Sequence, residues 1–245
     1  MIEEGFIKKI SEQLQSTEQN VVREYCQHLF LSSFYKQKGT ERFLFKGGTA
    51  LRLIWDSPRF SEDLDFSAFK IRFPEIEDLL EQTLVLLEQG GLSVNLIESK
   101  RTSGGYLGIL EFRWNRFRAQ IQLEVSLRQG RSPRAVVTSI ASSYVTDYTL
   151  VHLDEPSLVA EKVQALLTRG KPRDFYDLYF ILRKRMAFSE VFARDKELKK
   201  KILYQLERFK GDLRAELKEF LPASHQGLLK NFKENLAREI ERNLP

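Results

Sequence analysis

The stretch Phe45-Lys46-Gly47-Gly48-Thr49, followed by Arg59-Phe60-Ser61-Glu62-Asp63-Leu64-Asp65-Phe66, decides the reading of this chain. Phe43 to Phe45 are apolar and suit the end of a buried strand. Gly47 and Gly48 have no Cβ, so the backbone can turn sharply there and come close to a ligand. Thr49 is then expected to cap a helix over Ala50 to Trp55, whose apolar residues are Leu51, Leu53, Ile54 and Trp55. A glycine turn that opens a helix presents free backbone N–H groups and the positive end of the helix dipole, which favours phosphate. On its own a Gly-Gly-Thr run marks no more than a turn in most chains.

The carboxylates sharpen this reading. If 63–67 is a strand, Asp63 and Asp65 share one face while Leu64 and Phe66 enter the core. Two carboxylates so placed raise each other's pKa unless a cation lies between them. Mg²⁺ is a hard ion held by one or two carboxylates together with substrate phosphates. An isolated Asp-x-Asp is usually a solvated strand face; beside a candidate phosphate loop the metal reading gains weight. From Phe117 to Leu127 the odd positions are apolar and the even ones polar, a period-two strand with one face in the core. Glu124 falls on the polar face with Gln120, Gln122 and Ser126. It joins Asp63 and Asp65 if the two strands are neighbours, and is an ordinary exposed glutamate if they are not.

With these residues the chain resembles the AbiEii/AbiGii-type nucleotidyltransferases, bacterial toxins within the wider polymerase-β-like nucleotidyltransferase fold. The wider fold carries a Gly-Gly-Ser/Thr turn, an Asp-x-Asp pair and a third carboxylate on a later strand, which Glu124 matches best here. The AbiEii-like group adds a lysine helix and an Arg-Asp-x-x-Asp-Leu helix, present as Glu161-Lys162-Val163 and Arg173-Asp174-Phe175-Tyr176-Asp177-Leu178. The resemblance spans about residues 20 to 185. It implies catalytic roles for Asp63, Asp65, Glu124, Lys162 and Asp177. Asp63, Asp65 and Glu124 are the implied ligands of one or two Mg²⁺ ions. It also implies nucleotide contacts from Lys46, Gly47, Gly48, Thr49, Arg59, Ser61 and Arg173. The implied reaction moves a nucleoside monophosphate from an NTP to an acceptor hydroxyl, with tRNA the first candidate and a cognate antitoxin as protein partner. Transfer to a protein hydroxyl and a non-catalytic nucleotide- or RNA-binding module stay open beside it.

The second cluster also has chemistry of its own. Leu158, Lys162 and Leu166 recur at helical spacing on a helix from Pro156 to Thr168, so Lys162 sits inside an apolar stripe. A lysine there needs a charge partner, or must snorkel to water. Asp174 suits the start of the next helix, from about Arg173 to Lys184, through the helix dipole. Asp177, one turn further in, has no such reason, and a Lys162–Asp177 pair is expected.

Composition sets the frame. The chain has 245 residues, net charge +5 and one cysteine, Cys26. That excludes an intrachain disulfide framework and suits a reducing cytoplasm. Cys26 falls on an apolar helical stripe with Val22, Leu29 and Phe30 and reads as core. No apolar run approaches the roughly 18 residues of a membrane span. The acidic Met1-Ile2-Glu3-Glu4 start is unlike a signal peptide. His28, His152 and His225 lack metal-ligand spacing. Residues 1–150 balance in charge, so the whole excess lies in 151–245, concentrated between Arg183 and Lys210. A second basic stretch runs through Lys100, Arg101, Arg113, Arg116, Arg118, Arg128, Arg131 and Arg134. Either is a candidate nucleic-acid footprint or a solvated face.

The expected architecture is α+β: a nucleotidyltransferase mixed sheet with flanking helices over 1–150, then a helical lobe over 151–245 that contributes Lys162 and Asp177. The first helix is expected from about Thr17 to Gln37, and another from Pro74 to Gln89. Strands are expected near 43–46, 63–67, 93–101, 106–114, 117–127 and 144–152. Arg131 to Ser143 reads as a polar connector, and the active site is expected in a cleft between the lobes.

Overall fold

The computed structural model describes residues 2–130, 133–188 and 195–244. The chain divides into two compact units, Met1–Leu153 and Asp154–Pro245. In the first, a mixed seven-stranded sheet is built from β1 (Phe43–Lys46), β2 (Leu64–Phe69), β3 (Ser93–Thr102), β4 (Gly105–Trp114), β5 (Phe117–Arg128), β6 (Ala135–Ile140) and β7 (Tyr148–Leu153). The strand order is β3-β4-β5-β2-β1-β7-β6. Strand β2 runs antiparallel to β1 and parallel to β5, and β1 runs parallel to β7. Helices α1 (Glu4–Gln13), α2 (Glu18–Phe34), α3 (Gly47–Trp55) and α4 (Phe73–Gln89) complete this unit.

The alternation in β5 is carried into burial: odd-numbered residues from Phe117 to Val125 are buried and the even-numbered ones face outward. Strand β1 is buried along its whole length. Phe34 of α2 stands 5.5 Å from the Phe66 ring and 5.2 Å from that of Phe43, centroid to centroid. Each such buried aromatic removes enough apolar surface to contribute about 1.5–3 kcal/mol. This packing fixes the register of β2, because a slip of one residue would send Asp65 into the core in place of Phe66. Thr17 caps α2, its hydroxyl accepting from the Asn20 amide at 3.2 Å.

Three expectations need correction. Helix α1 precedes the first helix expected, with Ile7 and Ile10 buried along a mostly polar segment. The connector of 131–143 contains strand β6, paired antiparallel to β7 at the edge of the sheet; an edge strand needs few apolar residues, so its signal was weak. Arg131 lies outside the described residues. Helix α3 begins at Gly47 with Lys46 as its N-cap, so Thr49 is a first-turn residue and not the cap.

Cys26 is buried and its thiol is pushed up to about 12 by burial, which makes it core and not a nucleophile. His28, also buried, hydrogen-bonds Tyr148 Oη through Nδ1 at 2.9 Å. Burial pushes its pKa down to about 4, against an opposing pull from Glu24. The unfolded chain therefore takes up this proton at higher pH than the folded one does. Stability should fall as pH drops from about 6.5 towards 4, by up to roughly 3 kcal/mol, and level off below. Urea midpoints across this range check it, and His28→Gln should flatten the dependence.

The second unit is helical among its described residues: α5 (Glu155–Thr168), α6 (Pro172–Lys184), α7 (Leu198–Arg208), α8 (Leu213–Leu217) and α9 (Phe232–Asn243). Phe175, Ile202, Leu236 and Ile240 are each fully buried there. No described helix is long and apolar enough to cross a membrane.

Candidate active site

The glycine turn is shaped by what lies against it. Gly47 has φ +83°, a conformation that costs other L-residues about 1–2 kcal/mol. A Cβ on Gly47 would collide with Asp65 Oδ2 and come within 2.8 Å of Asp65 Cβ. A Cβ on Gly48 would strike Arg59 Nη2 and lie 2.6 Å from Ser61 Oγ. The two glycines thus let the start of α3 sit directly against a carboxylate on one side and a guanidinium and hydroxyl on the other. Gly47→Ala should destabilise the fold by about 1–2 kcal/mol through its backbone alone. It should also lower turnover by about 10²-fold by displacing Asp65, since shifts near 1 Å have that effect. Comparison of turnover with the thermal midpoint separates the two losses.

Thr49 ties the glycine helix to the carboxylate strand: its fully buried hydroxyl donates to the Asp63 carbonyl at 2.5 Å. That hydroxyl is engaged within the fold, and only the Thr49 backbone N–H is left to face a phosphate. The segment carrying Arg59 and Ser61 is pinned from α2, where buried Gln27 donates to the Ser61 carbonyl at 2.9 Å and Arg23 pairs with Glu62 at 3.0 Å. Neither support was legible in the sequence, because each joins residues more than thirty positions apart.

Lys46, Asp65 and Glu124 stand side by side across β1, β2 and β5, Asp65 in register with both neighbours. Directly paired residues share a face, so the three side chains rise from one side of the sheet. Asp63 lies one residue before β2. Asp63 and Asp65 are half-buried, Glu124 is exposed and Lys46 is buried, its Nζ 3.4 Å from Ser126 Oγ. The donors are all hard carboxylate oxygens, which suits a divalent cation of the Mg²⁺ type. As they stand, no three His, Cys, Asp or Glu side chains among the described residues converge as a metal group. Glu124 Oε1 accepts from Gln122 Nε2 at 2.5 Å along its own strand, so the third carboxylate is turned to a neighbour. Donor type and register fit such an ion; the present Glu124 rotamer does not complete its shell.

In the helical unit, Lys162 Nζ donates to Asp177 Oδ2 at 2.7 Å, with both residues buried. Asp174 is held differently. Arg169 reaches it with Nη2 at 2.7 Å and Nε at 2.9 Å, and the Lys171 amide donates to it at 3.0 Å. Asp174 therefore secures the start of α6, and the Arg169 that completes it was not anticipated. Arg173 is half-buried in the first turn of α6.

A mixed sheet with a glycine-opened helix packed against an Asp-x-Asp segment, and a glutamate in register on the next strand, is the arrangement expected of a nucleotidyltransferase. The family model for the AbiEii nucleotidyl transferase toxin of type IV toxin–antitoxin systems matches residues 29–243, and the chain belongs to that family. It is thus a nucleotidyltransferase, and membership implies a nucleotide substrate and an antitoxin partner. Among solved structures it is similar to JHP933 from Helicobacter pylori, at 18% identity and TM-score 0.59, over 93% of this chain and 92% of that one. It is also similar to an H. pylori protein described as a candidate nucleotidyltransferase, at 20% identity and TM-score 0.56, over 92% and 98%. These likenesses concern the fold. No protein of curated function matches the sequence significantly.

Proposed function

We propose that this toxin transfers a nucleoside monophosphate from an NTP to a hydroxyl of an RNA acceptor, tRNA first among candidates, and releases pyrophosphate. The observation that carries the reading is the contact of Gly47 with the Asp65 carboxylate, with Glu124 in register beside it. The free N–H groups at the start of α3 cradle the β- and γ-phosphates, assisted by Ser61 and Arg59. Asp63 and Asp65 would hold a divalent cation, Mg²⁺ by donor type, with Glu124 as the further carboxylate that would hold it if released from Gln122. When bound, the cation supplies charge neutralisation at the triphosphate and leaving group.

The acceptor oxygen forms its bond to the α-phosphorus as the bond from that phosphorus to the bridging oxygen breaks, and the electron pair leaves with pyrophosphate. The acceptor proton passes to the exposed carboxylate of Glu124. Lys46, opposite Asp65, balances the carboxylates between turnovers. Lys162 neutralises triphosphate charge, Asp177 positions Lys162, and Arg173 contacts phosphate. Such chemistry depends on positioning and charge more than on covalent help.

Label transfer tests the proposal. The protein is incubated with Mg²⁺, each α-labelled NTP in turn and total tRNA. Label on tRNA is the expected result and names the nucleotide. Label on protein alone moves the acceptor to a side-chain hydroxyl. No label anywhere, with NTP bound, leaves a binding module.

A further inference from the structure

The row that begins with Lys46, Asp65 and Glu124 continues across the sheet. Leu107 of β4 pairs directly with Glu124, and Lys100 of β3 pairs directly with Leu107. Lys46, Asp65, Glu124, Leu107 and Lys100 therefore share one face of five adjacent strands. The next row on that face holds Gln122, Ile109 and Glu98. Leu107 and Ile109 are half-buried, whereas Leu110 and Phe112, on the other face of β4, are closed off from solvent. A solvated sheet face ordinarily carries polar side chains. Two neighbouring aliphatic side chains left open beside a carboxylate mark a surface that an apolar group can cover. The chemistry sets the direction of approach, because the attacking and leaving oxygens lie roughly in line through phosphorus. The start of α3 bears on Asp65 through Gly47, so pyrophosphate leaves on the β1–β2 side. The acceptor then enters from the β4 side of Glu124.

We propose that Leu107 and Ile109 form the platform for the terminal nucleoside of the RNA acceptor, and that Lys100 takes the adjoining phosphate. The proposal rests on the RNA-acceptor reading above. Lys100 stands two strands from Glu124, about 10 Å away, within reach of a phosphate next to the reacting nucleoside. It pairs with Glu98 on its own strand, but Lys100 is exposed and Glu98 partly so, and such a pair contributes little and yields readily to a phosphate. The other basic groups serve the acceptor less well. In α7 each lysine of the run has a carboxylate partner: Lys199 with Glu241 at 2.6 Å, Lys200 with Glu197 at 3.0 Å and Lys201 with Asp195 at 2.5 Å. Arg101, the neighbour of Lys100 in β3, pairs with buried Tyr106 and so turns to the opposite face, where with Lys70 it lines a groove of about 840 Å³.

Steady-state label transfer to total tRNA, read beside RNA and NTP binding, tests this on the full chain. Leu107→Ala/Ile109→Ala should raise the KM for RNA roughly tenfold, the usual loss for one base contact, and leave the NTP dissociation constant unchanged. Leu107→Met/Ile109→Val keeps an apolar platform and should stay within about twofold of wild type. Lys100→Ala should flatten the salt slope of RNA binding by about 0.7, the contribution of one phosphate on a single strand. Arg101→Ala removes the same charge one residue further on, from the opposite face, and should leave the slope and the KM unchanged. Both residues are exposed, so this comparison decides by itself if the alanine pair fails to fold. A folded alanine pair with unchanged KM for RNA, or an Arg101 effect equal to that of Lys100, overturns the platform and leaves nucleotidyl transfer to RNA standing. Wild-type label on protein alone overturns the RNA reading and the platform with it.

Discussion

Asp65→Asn is expected to reduce nucleotide transfer by about 10³-fold or more while leaving the fold intact. Removal of one group that stabilises transition-state charge costs about 10²–10³, and Asp65 bears on both the cation and the glycine turn. The substitution keeps the side chain's shape, so contact with Gly47 survives and only the charge is lost. Asp65 is half-buried opposite the buried Lys46, so loss of its charge should cost no more than about 1–3 kcal/mol. Single-turnover label transfer, read beside thermal melts, decides it. A folded variant within tenfold of wild type would remove Asp65 from the chemistry.

The Lys162–Asp177 pair should give the largest effect on stability. Both partners are buried and 2.7 Å apart, so Asp177→Ala leaves an ammonium without its carboxylate and should cost about 3–5 kcal/mol. Replacing both by apolar groups of similar size, Lys162→Met/Asp177→Leu, should recover most of that loss, because buried pairs contribute little net stability over packed apolar residues. Denaturant midpoints for the cycle measure the stabilities. Activity then tells the two roles apart. A double variant that is stable yet inactive assigns Lys162 to the reaction, and one that recovers both reduces the pair to a structural tie in α5 and α6.

Much of the candidate site was legible because its parts are local. Gly47, Gly48, Asp63 and Asp65 lie within one short stretch, and their types carry their chemistry. Glu124 was legible as a face, through the alternation of β5, but not as a neighbour of Asp65. Thr49 was misread as a cap because its donor could as well serve the helix start as the Asp63 carbonyl fourteen residues on. The supports from Gln27 and Arg23, and the Arg169 clasp on Asp174, left no periodic trace, since a single polar contact imposes no repeat on the chain. Helix α1 and strand β6 were missed because each buries few residues.

The sequence by itself determined the periodicities, the glycine turn and the identity of the charged groups, since these depend on residue type and spacing along one element. Tertiary structure alone decided which elements stand together: β5 beside β2, so that Glu124 flanks Asp65, and Lys70 and Arg72 beside Arg101 and Arg128. It also decided which cations are neutralised. The α7 lysines are three consecutive basic residues, as dense as any basic run in the sequence, yet each meets a carboxylate. Charge is a property of residues, but the field they present depends on distance, and distance between remote residues exists only after the chain has folded.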